Sequence, residues 1–276
     1  VLSFAGAALA THLPEENWAA MHPTVQVMSY KYKFSGHVVP QSSGSGTVIS
    51  AEGLILTNNH VIFDEVEQKP LDAFEICITF DVKKEPLCNY TAKLVANDKE
   101  IDLALLQINA EDVLGSPLPK NFKVLDYLKS SQPEEREEVQ VIGHPASGGD
   151  TITITKGQIS GYDTFNNYKY FKTDTDFDHG SSGGTVLNSK GEFIGIPTYI
   201  RSYAENVGYF LDLREARPWI EKNKTKEAKT HERAEKDLKR EMGRFIKANE
   251  TLAYGHDLYP YISLKLPKGW HFFEIS

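Results

Sequence analysis

The sequence predicts an all-β fold built from many short strands. Short runs rich in β-branched and aromatic side chains recur along the chain, and such runs are typical of strands. Glycine, proline, asparagine and aspartate separate them, as these residues do at turns. Helical patterns are confined to the two ends of the chain. The clearest strand-like runs are residues 24–30, 46–50, 74–80, 139–142, 151–154 and 193–196.

The composition is that of a globular protein. The chain has 276 residues, of which 40% are hydrophobic and 11% aromatic, enough for a substantial core with additional elements. A net charge of −8 argues against general nucleic-acid binding. No apolar run reaches the roughly 20 residues of a membrane span, and no metal-type spacing of ligands occurs. We therefore expect no nucleic-acid partner, no integral span, no metal and no cofactor.

Three polar residues stand out between the predicted strands. His60 lies in a TNNHV segment, Asp102 opens a DLALL segment, and Ser182 lies in a GSSGG segment. Each segment alone is common in loops or at strand ends, but together they supply a nucleophile, a base and a carboxylate in the chain order of chymotrypsin-type enzymes. A serine hydroxyl needs an imidazole base, and the base needs a carboxylate to hold its tautomer. We predict Ser182 as nucleophile, His60 as general base and then acid, and Asp102 as the orienting carboxylate.

The glycines around Ser182 have a predicted role of their own. An oxyanion that forms during acyl transfer needs preorganised backbone N–H donors. Gly180 can adopt backbone angles that turn amides toward one point, and the segment Gly180, Ser181 and Ser182 is the predicted oxyanion hole.

These segments resemble the trypsin superfamily, and within it the HtrA/Deg-type branch. The His and Ser segments carry most of the resemblance, which runs from about residue 13 to about residue 222. The matching segments are GSGTVIS at 44–50, TNNHV at 57–61, DLALL at 102–106, VIGHP at 141–145, TKGQIS at 155–160, and TD at 173–174 through SGG at 182–184.

The resemblance implies a fold and an activity. The fold is two antiparallel six-stranded barrels, about 24–110 and about 136–213, with the active site in the cleft between them. The activity is that of a serine endopeptidase acting through an acyl-enzyme on extended or unfolded polypeptides. The alternative is a catalytically closed binding or chaperone module of the same fold, regulated by a partner, because HtrA-type enzymes have resting states with a collapsed oxyanion loop.

The chain departs from the family pattern near the nucleophile. Ser181 replaces the usual Asn or Asp, His179 replaces a proline, and Thr185 replaces the proline that follows the Ser-Gly-Gly. Activation by pairing of an aspartate with a new N-terminus is therefore not expected here.

The resemblance also places a specificity pocket. Its floor is expected at Asp176, and its opposite wall at Pro197, Thr198 and Tyr199. A buried Asp176 would favour Lys or Arg in the substrate, because a buried carboxylate is costly until a cation pairs with it. Alternatively Asp176 faces solvent and Phe177 fills the pocket; the resemblance to HtrA-type enzymes, which accept aliphatic side chains, implies an aliphatic preference.

The two cysteines allow two interpretations. Cys77 and Cys88 would face each other if 74–80 and 87–95 formed a hairpin that turns near 82–83. A disulfide is then geometrically possible, and two reduced core thiols are the alternative.

The ends of the chain carry further expectations. Residues 1–23 hold an apolar stretch with an ALA processing-like site, which suggests export, and a short helix over 13–21. The protease domain is predicted at 24–222, ending in a helix over 214–222, and the residues after it are fewer than a PDZ domain needs.

The last segment, 223–276, is predicted to contain a charged helix and an aromatic tail. Its helix has an apolar stripe that either packs on the chain's own barrel or binds a partner or a second copy. The stripe residues are Ala234, Leu238, Met242, Phe245 and Ile246.

Overall fold

A first antiparallel barrel forms from the N-terminal half of the chain. The computed structural model describes residues 21–115, 117–118, 122–144, 151–175, 180–198 and 207–252. In chain order the elements are β1 (Thr24–Tyr32), β2 (Val38–Val48), β3 (Leu54–Thr57), α1 (Asn59–Ile62), β4 (Phe63–Asp64), β5 (Lys69–Pro70), β6 (Ala73–Ile78), β7 (Leu87–Asp98) and β8 (Leu103–Ile108). Six strands close in the order β1-β2-β3-β8-β7-β6, and β4 pairs with β5 as a small separate sheet.

Apolar side chains from several strands fill the interior of this barrel, since alternate residues of a strand point to the same face of the sheet. β1 pairs with β2 on one side and β6 on the other, so it has no free edge. Val25 and Val27 of β1 are fully buried and pack in one core with Ile55, Ile76 and Leu106.

A second antiparallel barrel follows. Its strands are β9 (Glu138–Gly143), β10 (Thr153–Phe165), β11 (Tyr168–Thr173), β12 (Thr185–Asn188), β13 (Phe193–Thr198) and β14 (Gly208–Asp212), closed in the order β10-β11-β14-β13-β12-β9. Phe171 and Phe210 stack in its core with ring centroids 5.4 Å apart. The two closed barrels confirm the all-β class and the pair of six-stranded barrels implied by the resemblance.

Several strand bounds differ from the predicted runs: the run at 46–50 is the end of β2, which starts at Val38, and the run at 74–80 ends at Ile78. The run at 151–154 is not a strand of its own, because β10 begins at Thr153 and continues to Phe165. Glycines and charged residues interrupt its β-branched pattern after residue 155. Pairing with β9 and then with β11 holds this stretch as strand despite its composition.

The two barrels meet across an apolar cluster and a line of hydroxyls. The apolar cluster includes Leu56 and Leu105 from the first barrel and Phe193 and Ile196 from the second. Beside it the Thr185 Oγ1 lies 2.7 Å from Thr24 Oγ1 and 2.7 Å from Thr47 Oγ1, both of the first barrel. Buried hydroxyls paired in this way stabilise the junction without leaving a polar atom unsatisfied.

Two helices follow the second barrel. The first, α2 (Leu213–Asn223), is capped at its N-terminus by Asp212, whose carboxylate accepts a hydrogen bond from the Arg214 backbone N–H at 3.0 Å. The second, α3 (Glu232–Leu252), is the predicted charged helix.

The apolar stripe of α3 packs on the first barrel. Ala234, Leu238 and Met242 are buried in one cluster with Tyr30 of β1 and Ala73 of β6. The stripe therefore packs on the chain's own barrel, which is the first of the two predicted alternatives. The predicted N-terminal helix over 13–21, except its last residue, and the tail after 252 lie outside the described residues.

The structure joins Cys77 and Cys88 in a disulfide. The bond crosses the β6–β7 hairpin, in which Ile78 pairs with Leu87. This pairing selects the bonded alternative over two reduced thiols.

Candidate active site

His60 and Asp102 are held together at two points. His60 lies in α1, directly after β3, and Asp102 lies in the turn between β7 and β8. The His60 Nδ1 is 2.8 Å from the Asp102 Oδ2, and the His60 backbone N–H donates to the Asp102 Oδ1 at 2.9 Å. The second bond fixes the carboxylate relative to the backbone of His60, so the ring and the carboxylate keep a constant orientation.

Two further residues hold Asp102. The Thr198 hydroxyl donates to the same Oδ2 at 2.9 Å, and the Asn58 amide donates to the Asp102 carbonyl at 2.8 Å. Asp102 has a φ of 55°, in the left-handed region that non-glycine residues adopt only when neighbours hold them. The hydrogen bond from Asn58 is one such restraint.

The environment of Asp102 also affects a neighbouring phenol. Burial first, and then the Asp102 carboxylate, raise the pKa of Tyr170 to about 12. Tyr170 therefore stays neutral beside the pair at physiological pH.

The segment with Ser182 lies between β11 and β12. Gly180 and Gly183 have φ values of 100° and 80°, which glycine adopts without strain. The Gly183 N–H donates to the Pro197 carbonyl at 3.0 Å, and the Gly184 N–H donates to the Ser181 carbonyl at 3.0 Å. These bonds hold the turn that carries Ser182, a residue only 9% exposed.

This segment touches the residues that precede His60. A Cβ placed on Gly183 would lie 2.3 Å from the Thr57 Oγ1 and 2.9 Å from the Asn58 backbone N. Real Cβ atoms do not approach other atoms so closely, so only glycine fits at this position. The close approach brings the turn that carries Ser182 against the segment that leads into His60.

A second close approach lies on the other side of His60. A Cβ on Gly44 would lie 2.6 Å from the Val61 Cγ2 and 3.2 Å from the Ser182 carbonyl O. The glycine of the GSG segment thus lets β2, the residue after His60 and the backbone of Ser182 meet. The three predicted segments converge where the two barrels face each other.

The predicted pocket is described only in part. Pro197 and Thr198 belong to β13, and the Thr198 hydroxyl is engaged with Asp102 rather than free to meet a ligand. Asp176, Phe177 and Tyr199 lie outside the described residues, as does His179.

Some contacts of the site were not anticipated from the sequence. The hydrogen bonds from Asn58 and Thr198 to Asp102, and those from Ser45 to the Ser182 segment, are absent from the predictions. For Asn58 a signal existed, since it lies two residues before His60. For Thr198 and Ser45 no local pattern points to these partners.

The potential metal ligands lie elsewhere. Within the described part of the chain, two groups could bring three ligand atoms together: Glu75 with Cys77 and Cys88, and His37 with Asp237 and Glu241. Neither includes His60, Asp102 or Ser182, and the two sulfurs of the first group are bonded to each other. In the same described part, no helix is both long and apolar enough to cross a membrane.

Comparisons with known proteins agree with this geometry. A probable periplasmic serine endoprotease DegP-like from Hahella chejuensis is 34% identical over an alignment of 184 residues, which covers 64% of this chain and 34% of that protein. The mitochondrial serine protease HTRA2 of Bos taurus is 33% identical over an alignment of 174 residues, which covers 61% of this chain and 34% of that protein. The chain thus spans about a third of the length of these relatives.

A solved structure and a family description extend the comparison. The crystal structure of the serine endoprotease from Yersinia pestis superposes with a TM-score of 0.54 at 26% identity, covering 76% of this chain and 67% of that one. The description "Trypsin-like peptidase domain" matches residues 44–196, a range that contains His60, Asp102 and Ser182. The chain therefore belongs to the trypsin-like peptidase family.

Proposed function

We propose that this protein is a serine endopeptidase that hydrolyses peptide bonds in extended or unfolded polypeptides. The observation that carries the proposal is the two-point hydrogen bonding of His60 to Asp102 beside the turn that holds Ser182. Family membership supports the same reaction class. The serine proteases named among the relatives support it further.

The chemistry follows from the hydrogen bonds of the histidine. Asp102 accepts from Nδ1–H, so the Nε2 lone pair of His60 is free to take the proton of the Ser182 hydroxyl. The Ser182 Oγ attacks the scissile carbonyl, and His60 returns the proton to the leaving amine. Water then hydrolyses the acyl-enzyme with His60 again acting as base. The Thr198 hydroxyl donates to the same Oδ2 and so helps to hold the carboxylate of Asp102 in its orientation toward the imidazole.

The oxyanion is assigned to backbone amides of Gly180, Ser181 and Ser182. The positive φ of Gly180 supports this assignment, because it allows the amides of the turn to converge. Each such donor contributes roughly 10²–10³ in rate in enzymes of this kind.

The substrate pocket is assigned to Asp176, Phe177, Pro197, Thr198 and Tyr199. Cleavage of peptide libraries tests the assignment at its floor. Cleavage after Lys or Arg that is lost in Asp176→Ala would place the carboxylate at the floor. Cleavage after aliphatic residues, unchanged in Asp176→Ala, would assign the pocket to Phe177.

The compartment we propose is outside the cytosol. The disulfide between Cys77 and Cys88 supports this, because such bonds persist in oxidising compartments. Periplasmic names among the relatives agree, although HTRA2 is mitochondrial. Labelling of free thiols in protein taken directly from cells tests the proposal: modification of both cysteines before reduction would contradict it.

Any partner or second copy bound through α3 would have to use its charged outer face. The apolar stripe is already packed on the first barrel. Light scattering of the purified protein and of a Lys236→Glu/Arg233→Glu variant would detect such an assembly.

Labelling with a fluorophosphonate probe tests the proposed reaction directly. The wild-type protein is expected to label at Ser182, and Ser182→Ala is expected to lose labelling and about 10⁶ of its turnover while remaining folded. Ser43→Ala, an exposed serine of β2, is the matched control and should label like wild type. Absence of labelling in all three proteins would contradict an active peptidase and favour the closed binding module.

A further inference from the structure

Ser45 is a buried serine that touches the turn carrying Ser182 at two points. It lies in β2 of the first barrel and is 0% exposed. Its backbone N–H donates to the Ser182 carbonyl at 2.8 Å, and its hydroxyl donates to the Gly180 carbonyl at 2.7 Å. These two bonds bracket the segment to which the oxyanion donors are assigned.

The direction of the hydroxyl proton follows from its second partner. The His144 backbone N–H donates to the same Ser45 Oγ at 2.8 Å. Because a backbone N–H only donates, the Ser45 hydroxyl must use its single proton on the Gly180 carbonyl. The other side of Ser45 is held as well, since its carbonyl accepts from the Thr57 hydroxyl at 2.6 Å.

A fixed Gly180 carbonyl fixes the peptide plane between Gly180 and Ser181. That plane is rigid because the peptide bond is planar, whereas glycine itself permits many orientations of the plane. Without a restraint, Gly180 at φ 100° could rotate this plane and turn the amides of the segment apart. The Ser45 hydroxyl is a restraint of the required kind.

The space around Ser45 leaves little freedom for another side chain. A Cβ on Gly143 would lie 2.9 Å from the Ser45 Oγ, and a Cβ on Gly184 would lie 3.2 Å from the Ser45 Cβ. Two glycines thus make room for a small hydroxyl-bearing residue between the barrels.

We propose that Ser45 is a positioning residue, which holds the oxyanion-binding segment in its working orientation from the opposite barrel. This inference rests on the proposed function, since the segment matters only if Ser182 is acylated. Ser45 does not touch the substrate; it acts through Gly180 and Ser182.

The chain contains a matched control. Ser29 lies in the neighbouring strand β1, is also 0% exposed, and its hydroxyl has no hydrogen-bond partner within the described part of the chain. Ser29→Ala removes a buried hydroxyl of the same barrel without breaking a bond, so it separates loss of volume and polarity from loss of the restraint.

The experiment compares kcat, KM and inhibitor binding for wild type, Ser45→Ala and Ser29→Ala. We expect Ser45→Ala to lower kcat by about tenfold or more with little change in KM, because misoriented donors weaken only the transition state. Affinity for a peptide aldehyde, which forms an oxyanion, should fall by a similar factor. Affinity for the corresponding product peptide should not. Ser29→Ala should match wild type in all four measurements.

Several outcomes would overturn the inference. One is an unchanged kcat in folded Ser45→Ala. A second is that Ser45→Ala loses affinity for the aldehyde and for the product peptide by the same factor. A third is that Ser29→Ala loses kcat and aldehyde affinity as Ser45→Ala does. If Ser45→Ala does not fold, Ser45→Cys, which keeps a weaker donor, must show the same selective loss of kcat. A wild-type protein that neither cleaves peptides nor reacts with the aldehyde would overturn the proposed function itself, and this inference with it.

Discussion

At the scale of single residues, His144 has an unusual position for a histidine. It follows β9 at the barrel junction, is 3% exposed, and its Nε2 lies 3.4 Å from the Thr79 hydroxyl. Burial, and secondarily the nearby His22, lower the pKa of His144 to about 4. Burial, and secondarily Lys123, lower the pKa of His22 to about 4 as well. The junction is therefore built around neutral imidazoles.

A histidine that is buried in its neutral form makes the free energy of unfolding depend on pH. His144 of the unfolded chain binds a proton at the ordinary pKa of about 6.5, whereas in the folded protein it stays neutral down to a pH of about 4. Protonation of the unfolded chain therefore lowers the free energy of unfolding as the pH falls from 6.5 toward 4, and no such loss occurs above 6.5. The loss should reach about 3 kcal/mol. We expect His144→Asn to flatten the fall in the free energy of unfolding over this window, measured by urea titration at several pH values.

The control for this prediction is a histidine on the surface. His37 has a side chain that is 62% exposed, and His37→Asn should keep the wild-type slope. A wild-type slope in His144→Asn would show that this imidazole does not govern the acid response.

At the scale of elements, α3 is stabilised by contacts on one face and by helix propensity on the other. Its inner face is buried on β1 and β6. Asp237, 4% exposed, accepts from the Val38 backbone N–H at 2.9 Å and pairs with Arg240, which ties the helix to the start of β2. Gly243 lies within the helix, where glycine costs conformational entropy without providing a side chain to pack.

Gly243→Ala is expected to raise the free energy of unfolding by about 1 kcal/mol. A Cβ at this position meets nothing within 4 Å, and Gly243 has no positive φ. Thermal unfolding or urea titration measures the change.

Gly191→Ala tests the effect of backbone strain on stability where, as at Gly243, the added methyl group has space. Its Cβ also meets nothing within 4 Å, but Gly191 has a φ of +76°. Because an alanine there is strained, we expect a loss of roughly 1–2 kcal/mol. Equal effects of the two substitutions would contradict this explanation.

At the scale of the whole molecule, polar contacts couple the two barrels around the candidate site. Thr47 of the first barrel donates to the Gly184 carbonyl at 3.0 Å and shares a hydrogen bond with the Thr185 hydroxyl. The Ser45 hydroxyl of the first barrel makes a neighbouring contact with the Gly180 carbonyl at 2.7 Å. The turn that carries Ser182 belongs to the second barrel in sequence but is supported by strands of the first.

Thr47→Val should therefore weaken the whole molecule and not one barrel alone. The substitution keeps the shape but leaves the buried Gly184 carbonyl and Thr185 hydroxyl each short of a partner, at a cost of about 1–3 kcal/mol. Urea unfolding followed by circular dichroism measures the loss. Thr164→Val, at an exposed position of β10, should change stability by less than about 0.5 kcal/mol. An effect no larger than this control in Thr47→Val would contradict the coupling.

Residue types and local patterns were sufficient to predict the all-β class, and together with the family resemblance they identified the candidate site. Strands could be predicted from runs rich in β-branched and aromatic residues that are separated by turn residues. His60, Asp102 and Ser182 could be proposed from the sequence because they follow the chain order of chymotrypsin-type enzymes and each lies between strand-like runs. The ends of β10 were missed, since pairing with its neighbours outweighs its unfavourable composition.

Long-range contacts decided the rest. Ser45 and Gly180 are 135 residues apart in the chain, and Thr198 and Asp102 are 96 apart, yet each pair forms a hydrogen bond. The same holds for the choice between bonded and free cysteines and for the surface that α3 covers. Local sequence does not predict such partners, because the residues of each pair come within hydrogen-bonding distance only when the two barrels close against each other.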